Sequence, residues 1–134
     1  MPDRKVIILY ISLMACYIAH VIEEMLGDFI VIQFLGSIYI FLLINAILLL
    51  VLLAVLYYLR QGNRRAVLIA ILFSVIMIGN GILHNLAFLI TGRYYNGFAG
   101  AFTGIALILM GVPLFINLYK YYKSRYSQKT LELP

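Results

Sequence analysis

The sequence predicts an all-α membrane protein, a bundle of four transmembrane helices, and three observations predict it. Hydrophobic residues make up 65% of the chain and charged residues 11%, with a mean hydropathy of +1.04. A soluble domain has about a quarter of its residues charged. The few charges also leave long runs untouched: none lies from Phe29 to Leu59, from Ala66 to Gly92 apart from His84, or from Tyr94 to Tyr119. Each run exceeds the roughly 20 apolar residues that cross a bilayer. Finally, the lysines and arginines collect at alternate connections, as a chain that weaves through a membrane requires.

The first span follows Arg4 and Lys5 and runs from Val6 to Met25 or Leu26, with His20, Glu23 and Glu24 interrupting its last turns. The second, third and fourth are placed at 37–59, 66–90 and 98–119, the first at 6–26, with boundaries good to about 2 to 4 residues. Gly27 to Gly36, Gln61 to Arg65 and Thr91 to Gly97 read as turns, being rich in the Gly and Asn that break helices. With 134 residues, four spans and a basic tail over 120–134 make one transmembrane domain, 1–134, with no room for a soluble one. Leu13-Met14-Ala15-Cys16 loosely resembles a lipoprotein cleavage box. The apolar pattern continues through Tyr17, Ile18 and Ala19, so a retained span is expected instead of a leader. Cys16 is the sole cysteine and has no internal disulfide partner; it is read as a small apolar filler.

Positive residues are retained on the cytoplasmic side. Arg4 and Lys5, then Arg60, Arg64 and Arg65, then Lys120, Lys123, Arg125 and Lys129 share one side, and only Arg93 falls on the other. A multi-pass protein of the plasma membrane with both termini cytoplasmic is therefore expected. The net charge of +5 follows from that topology. Its basic tail suits anionic lipid, and nucleic acid is not expected as a partner. Tyr57-Tyr58, Tyr94-Tyr95 and Tyr119-Tyr121-Tyr122 read as interfacial belts.

His20, Glu23 and Glu24 stand at i, i+3 and i+4, so one helix face carries all three. That face is not expected against lipid, because a charge at the centre of a span costs about 2.5 to 3.5 kcal/mol on insertion scales. The third span offers Asn80 and His84, one turn apart, with Gly79 and Gly81 beside Asn80 to allow close approach. At 1.5 Å per residue, His20 and Asn80 lie roughly 21 Å from the cytoplasmic end, and Glu24 and His84 roughly 27 Å. The cluster is thus expected in the outer half of the bundle, opening to the outer side. Asn45 and Thr103 reach similar levels as outer support, and Asp28 continues the stripe at the mouth. Shifting the chain by 64 residues lays His20 on His84, Phe34 on Phe98, Gly36 on Gly100 and Tyr57-Tyr58 on Tyr121-Tyr122. A duplication would give two parallel two-span repeats with both histidines facing their axis. Most other coincidences are Leu or Ile, which this composition yields by chance.

With His20-Val21-Ile22-Glu23-Glu24 in its first span, the chain resembles the HXXEE family of short integral membrane proteins, named for that motif. The resemblance takes in the Asn80 to Asn85 segment and a Tyr-Gly turn before the last span. The turn is typically Y-x-P-G in the family, whereas Tyr94-Tyr95-Asn96-Gly97 has Asn96 at the proline position. The resemblance implies an integral membrane protein and brings no reaction with it.

Two imidazoles and a carboxylate suit Zn, Fe or Mn as a divalent metal, leaving one position open. His20, His84 and one of Glu23 or Glu24 are the expected ligands. The other glutamate is then a general base, and Asn80 orients His84 or polarises a substrate. On this reading the chain is a membrane-embedded hydrolase or oxidoreductase acting on a lipid or isoprenoid. A di-iron centre would need four carboxylates, more than Glu23, Glu24 and Asp28 supply. Alternatives are a metal-free acid/base lipid isomerase whose glutamates share a proton, an ion or proton transport protein, and polar contacts that only join helices at about 1 kcal/mol each. Membrane lipids are the expected partners, and a homo-oligomer stays open.

Overall fold

The computed structural model describes residues 1–27, 30–92 and 99–127. Its helices are α1 (Arg4–Leu26), α2 (Ile30–Leu35), α3 (Ile38–Arg60), α4 (Arg64–Thr91) and α5 (Ala101–Tyr122), the last continuing into one π-helical turn, Lys123–Ser127. No strand occurs among the described residues. All but α2 are long and apolar enough to cross a membrane, so the chain is a multi-pass membrane protein built as a four-span helical bundle. Asp28, the turn residues 93–97 and Phe98 of the repeat alignment lie outside the described residues.

Local chemistry sets most of the helix ends. Asp3 accepts the amide of Val6 at 2.8 Å to start α1, Ser37 accepts that of Tyr39 to start α3, and Asn63 accepts those of Arg65 and Ala66 to start α4. Gly92, at φ 61°, ends α4 in the left-handed conformation that glycine adopts without strain. α2 corrects the reading of Gly27 to Gly36 as a plain turn. Ile30 to Leu35 is a stretch apolar but for Gln33, with no internal Gly or Pro, and it closes at Gly36 with φ 68°. α5 begins differently: Gly100 stands at its start with no side chain to cap it.

α5 is the centre of the bundle, packing on α4 along one side and on α1 along another, while α3 lies outside against α1 and α4. The α4 to α5 approach depends on glycine. A Cβ added at Gly81 would come within 2.3 Å of the Gly104 carbonyl oxygen, and one at Gly111 within 2.7 Å of Ile78 Cγ1. Lipid tails are as apolar as leucine, so such close packing and interhelical hydrogen bonds replace the hydrophobic effect as the force joining helices. Two of those bonds hold α3 to α1: the Tyr10 hydroxyl donates to the Leu52 carbonyl at 3.1 Å, and the Tyr17 hydroxyl to Asn45 Oδ1 at 2.6 Å. Leu13, Leu52, Leu59, Val67, Leu107 and Leu114 are fully buried between the helices. Leu50, 67% exposed, and Leu109, 62% exposed, typify the outward apolar faces, which suit lipid and would be untenable in water.

The start of α1, the α3 to α4 turn and the end of α5 meet at one end of the bundle. There the Arg64 guanidinium donates to the Tyr122 hydroxyl at 2.9 Å, and the Tyr126 hydroxyl donates to the Gly62 carbonyl at 2.6 Å. Arg4, Lys5, Arg60, Arg64, Arg65, Lys120, Lys123 and Arg125 all belong to these segments. The polar cluster belongs to the opposite half.

Candidate metal centre

The site is built around the uncapped start of α5. The first amides of a helix have no partner within it and carry the positive end of its dipole, which in a membrane must be met by another group. Glu23 on α1 meets them. Its Oε1 accepts the amide of Phe102 at 3.2 Å, and its Oε2 accepts both the amide of Thr103 at 2.8 Å and the Thr103 hydroxyl. A glutamate from another helix thus stands in for the missing capping residue, and α1 is tied to α5 at this level.

The hydroxyl of Thr103 passes that link to His20, whose Nδ1 lies 2.7 Å from Thr103 Oγ1. With Glu23 ionised, its carboxylate accepts the hydrogen bond from the Thr103 hydroxyl, so Oγ1 in turn accepts from His20 Nδ1–H. This fixes the imidazole with its lone pair on Nε2. Nε2 points toward α4, 2.9 Å from Asn80 Nδ2 and 3.4 Å from Glu24 Oε1. The same Glu24 oxygen lies 3.2 Å from His84 Nε2. α1 and α4 have little backbone contact; they meet through these side chains.

Ligand atoms of His20, Glu24 and His84 all lie within 4.8 Å of one another, and the two imidazoles stand edge to face with centroids 4.8 Å apart. Tetrahedral ligands held 2.0 to 2.2 Å from one ion are separated by roughly 3.4 Å. The two histidine to glutamate distances match that separation, so one ion could be held with small side-chain adjustments. All three residues are buried, His20 completely and Glu24 and His84 to within 6%. In this low dielectric, electrostatic attraction to a cation is strong and unpaired charge is costly.

Gly100 packs directly against both imidazoles. A Cβ there would lie 2.7 Å from His20 Cε1 and 2.7 Å from His84 Nδ1, and its φ of 119° strains any other residue. Ala99, fully buried, packs on Gly27 so closely that a Cβ on Gly27 would fall 1.9 Å from Ala99 Cβ. Residues 99–100 thus pack against the cluster at the end of the bundle away from the basic segments, and the neighbouring residues 93–98 lie outside those described.

The two glutamates, interchangeable by sequence, are separated by the fold. Glu24 joins the histidines, while the carboxylate of Glu23 is engaged on α5. Asn80 faces His20, not the His84 it is expected to orient. Thr103 supports the cluster as its level suggests, whereas Asn45 is held by Tyr17 and by its own bond to the Phe41 carbonyl at 2.9 Å. Gly100 and the capping role of Glu23 escape the sequence reading. The signal for both is a helix start at Gly100-Ala101-Phe102 that lacks Ser, Thr, Asp or Asn, so its cap must come from elsewhere. No family model matches this chain, and no curated protein or solved structure matches it either.

Proposed function

We propose that this chain is a membrane-embedded metal-dependent enzyme in which His20, Glu24 and His84 bind one divalent ion of the Zn, Fe or Mn class. The observation that carries the reading is the convergence of three buried donor atoms from two helices on one point. Two neutral imidazoles and a carboxylate are a donor set for these ions, and three protein ligands leave a position for substrate. The surroundings support it as well. Metal-binding histidines hand their second ring N–H to a carboxylate or another acceptor, which fixes the ring. The path from His20 through Thr103 to Glu23 has that form. Glu23 and Thr103 are then positioning residues, and the Asn80 carboxamide borders the open position.

The test is metal analysis of protein purified from membranes without chelator. Wild type is expected to hold about one ion per chain, and His20→Ala and His84→Ala less than a tenth of that. Wild type free of metal, and with a melting temperature unmoved by Zn²⁺, Fe²⁺ or Mn²⁺, would remove the proposal. A metal-free acid/base site is the second reading, favoured by the 3.2 Å approach of Glu24 Oε1 to His84 Nε2, at which the pair could share a proton. That reading expects no metal in the same measurement.

The basic end of the bundle is placed in the cytoplasm by the retention of positive charge there, which puts the His/Glu cluster in the outer half of the membrane. In intact cells, Asn63→Cys should resist a membrane-impermeant thiol reagent while Asn96→Cys reacts, both in a Cys16→Ala background. Labelling of position 63 from outside would reverse the orientation.

A further inference from the structure

The bond that reaches His20 from α4 occupies the lone pair that a metal ion needs. Of the two ring nitrogens, Nδ1 is turned to Thr103, and Nε2 lies 2.9 Å from Asn80 Nδ2. Because Nδ1 carries the proton, Nε2 is the acceptor and the Asn80 amide the donor. An ion that binds Nε2 must displace that N–H. We propose that Asn80 then becomes a fourth ligand: its carboxamide turns over and presents Oδ1 to the ion in place of Nδ2. The proposal rests on the metal-centre reading and adds a residue to it.

Left as it stands, the amide would aim the positive end of its N–H at a cation in a buried site, where such repulsion is strong. A half turn about the last side-chain bond removes it. That torsion is broad and roughly two-fold in asparagine, so the turned amide is not strained. Oδ1 then comes to stand close to where Nδ2 lies, 2.9 Å from His20 Nε2. Ligands of a tetrahedral ion stand roughly 3.4 Å apart, so the oxygen has the spacing of a ligand. Among the described residues, the Asn80 side chain bonds to His20 and no other partner holds its oxygen.

The packing of α4 keeps the rest of the residue in place. Gly81, next in the chain, is pressed against the Gly104 carbonyl of α5, so the level and facing of Asn80 are set and only the end of its side chain moves. Other oxygens are directed elsewhere. Thr103 stands at the opposite ring nitrogen, and the carboxylate of Glu23 holds the amides of Phe102 and Thr103.

An amide oxygen is neutral and a weaker base than imidazole or carboxylate. Of the four ligands it is the one that a substrate oxygen displaces, so Asn80 fills the position that His20, Glu24 and His84 leave. It is also a hard donor. Carbonyl and carboxylate oxygens suit Mn²⁺, whereas imidazoles suit Zn²⁺ and Fe²⁺, so Asn80 adds more to the binding of Mn²⁺ than of Zn²⁺.

The experiment measures the dissociation constants of Mn²⁺ and Zn²⁺ by competition with a metal-binding dye, on the full chain in detergent micelles. A ligand and a competitor respond in opposite directions. Loss of a ligand weakens binding, so Asn80→Ala is expected to raise the Mn²⁺ constant by at least about tenfold, and the Zn²⁺ constant by less. Loss of an N–H that only competes for His20 would instead tighten binding, by about fivefold for a hydrogen bond of ordinary strength. Asn80→Leu keeps the size of the side chain without its oxygen and serves should the alanine variant not fold. Asn80→Asp has no N–H to offer His20 but an oxygen to offer the ion, so it is expected to bind at least as tightly as wild type. Its recovery separates a ligand from a residue that only orients the ring. Constants that stay level or fall in Asn80→Ala and Asn80→Leu, or an Asn80→Asp protein that binds as weakly as they do, overturn the proposal and leave the three-ligand centre standing. A wild type that binds neither ion removes the centre and the fourth ligand together.

Discussion

Glu24→Gln is expected to leave a folded protein that no longer gains stability from metal. The substitution keeps the size of the side chain and its capacity to accept from His84, but removes the anion that a divalent ion requires. A ligand that binds only the folded state stabilises it by about 2.7 kcal/mol at 100 times its dissociation constant. Wild type should therefore show a melting temperature several degrees higher at saturating Zn²⁺, Fe²⁺ or Mn²⁺, and the variant no shift at that concentration. Without metal the order reverses or disappears. Burying a charge within a span costs about 2.5 to 3.5 kcal/mol and a neutral amide less, so the variant should melt at or above the wild-type temperature. Thermal unfolding in detergent micelles, with and without the ion, reads both arms. An equal metal-induced rise in the two proteins would place the ion elsewhere.

The spans were legible because length and apolarity are all a bilayer asks of a helix: each expected span became one long helix, within a few residues. The levels of His20 with Asn80 and of Glu24 with His84 were legible from the rise per residue, and these pairs are in contact at 2.9 and 3.2 Å. What depends on the side-by-side order of helices was not legible. Periodicity does not tell whether α1 lies against α4 or α5, and the backbone of α1 packs chiefly on α5. Hence Glu23 and Glu24 looked alike. Their division needs the start of α5 beside Glu23, brought there by the 99–100 turn that also covers the imidazoles. α2 was hidden for another reason: between Gly27 and Gly36 the glycines suggest a turn, yet Ile30–Leu35, apolar but for Gln33, forms a short helix of its own.

Glu23→Ala is expected to be the opposite of Glu24→Gln, lowering stability whether or not metal is present. Removing the carboxylate strips the amides of Phe102 and Thr103 of their acceptor and the Thr103 hydroxyl of its own. A lost helix cap costs about 0.5 to 2 kcal/mol in water, and a lost anion at the positive end of a helix up to about 2 kcal/mol more. Within the membrane no water replaces either. The expected loss is about 1 to 4 kcal/mol, seen as a lower melting temperature in metal-free buffer. The ion should be felt too, since His20 loses the chain of bonds that orients it. Loss of such supporting contacts weakens binding about 10- to 100-fold. Glu23→Gln should fall between, because its carboxamide oxygen still accepts while its amide nitrogen opposes the helix amides. In metal-free buffer the order of melting temperatures is then Glu24→Gln at or above wild type, wild type above Glu23→Gln, and Glu23→Ala lowest. The sequence, which treats the glutamates as equivalent, gives no reason for that order. A Glu23→Ala protein as stable as wild type would mean that α5 finds its cap elsewhere and that Glu23 has another task.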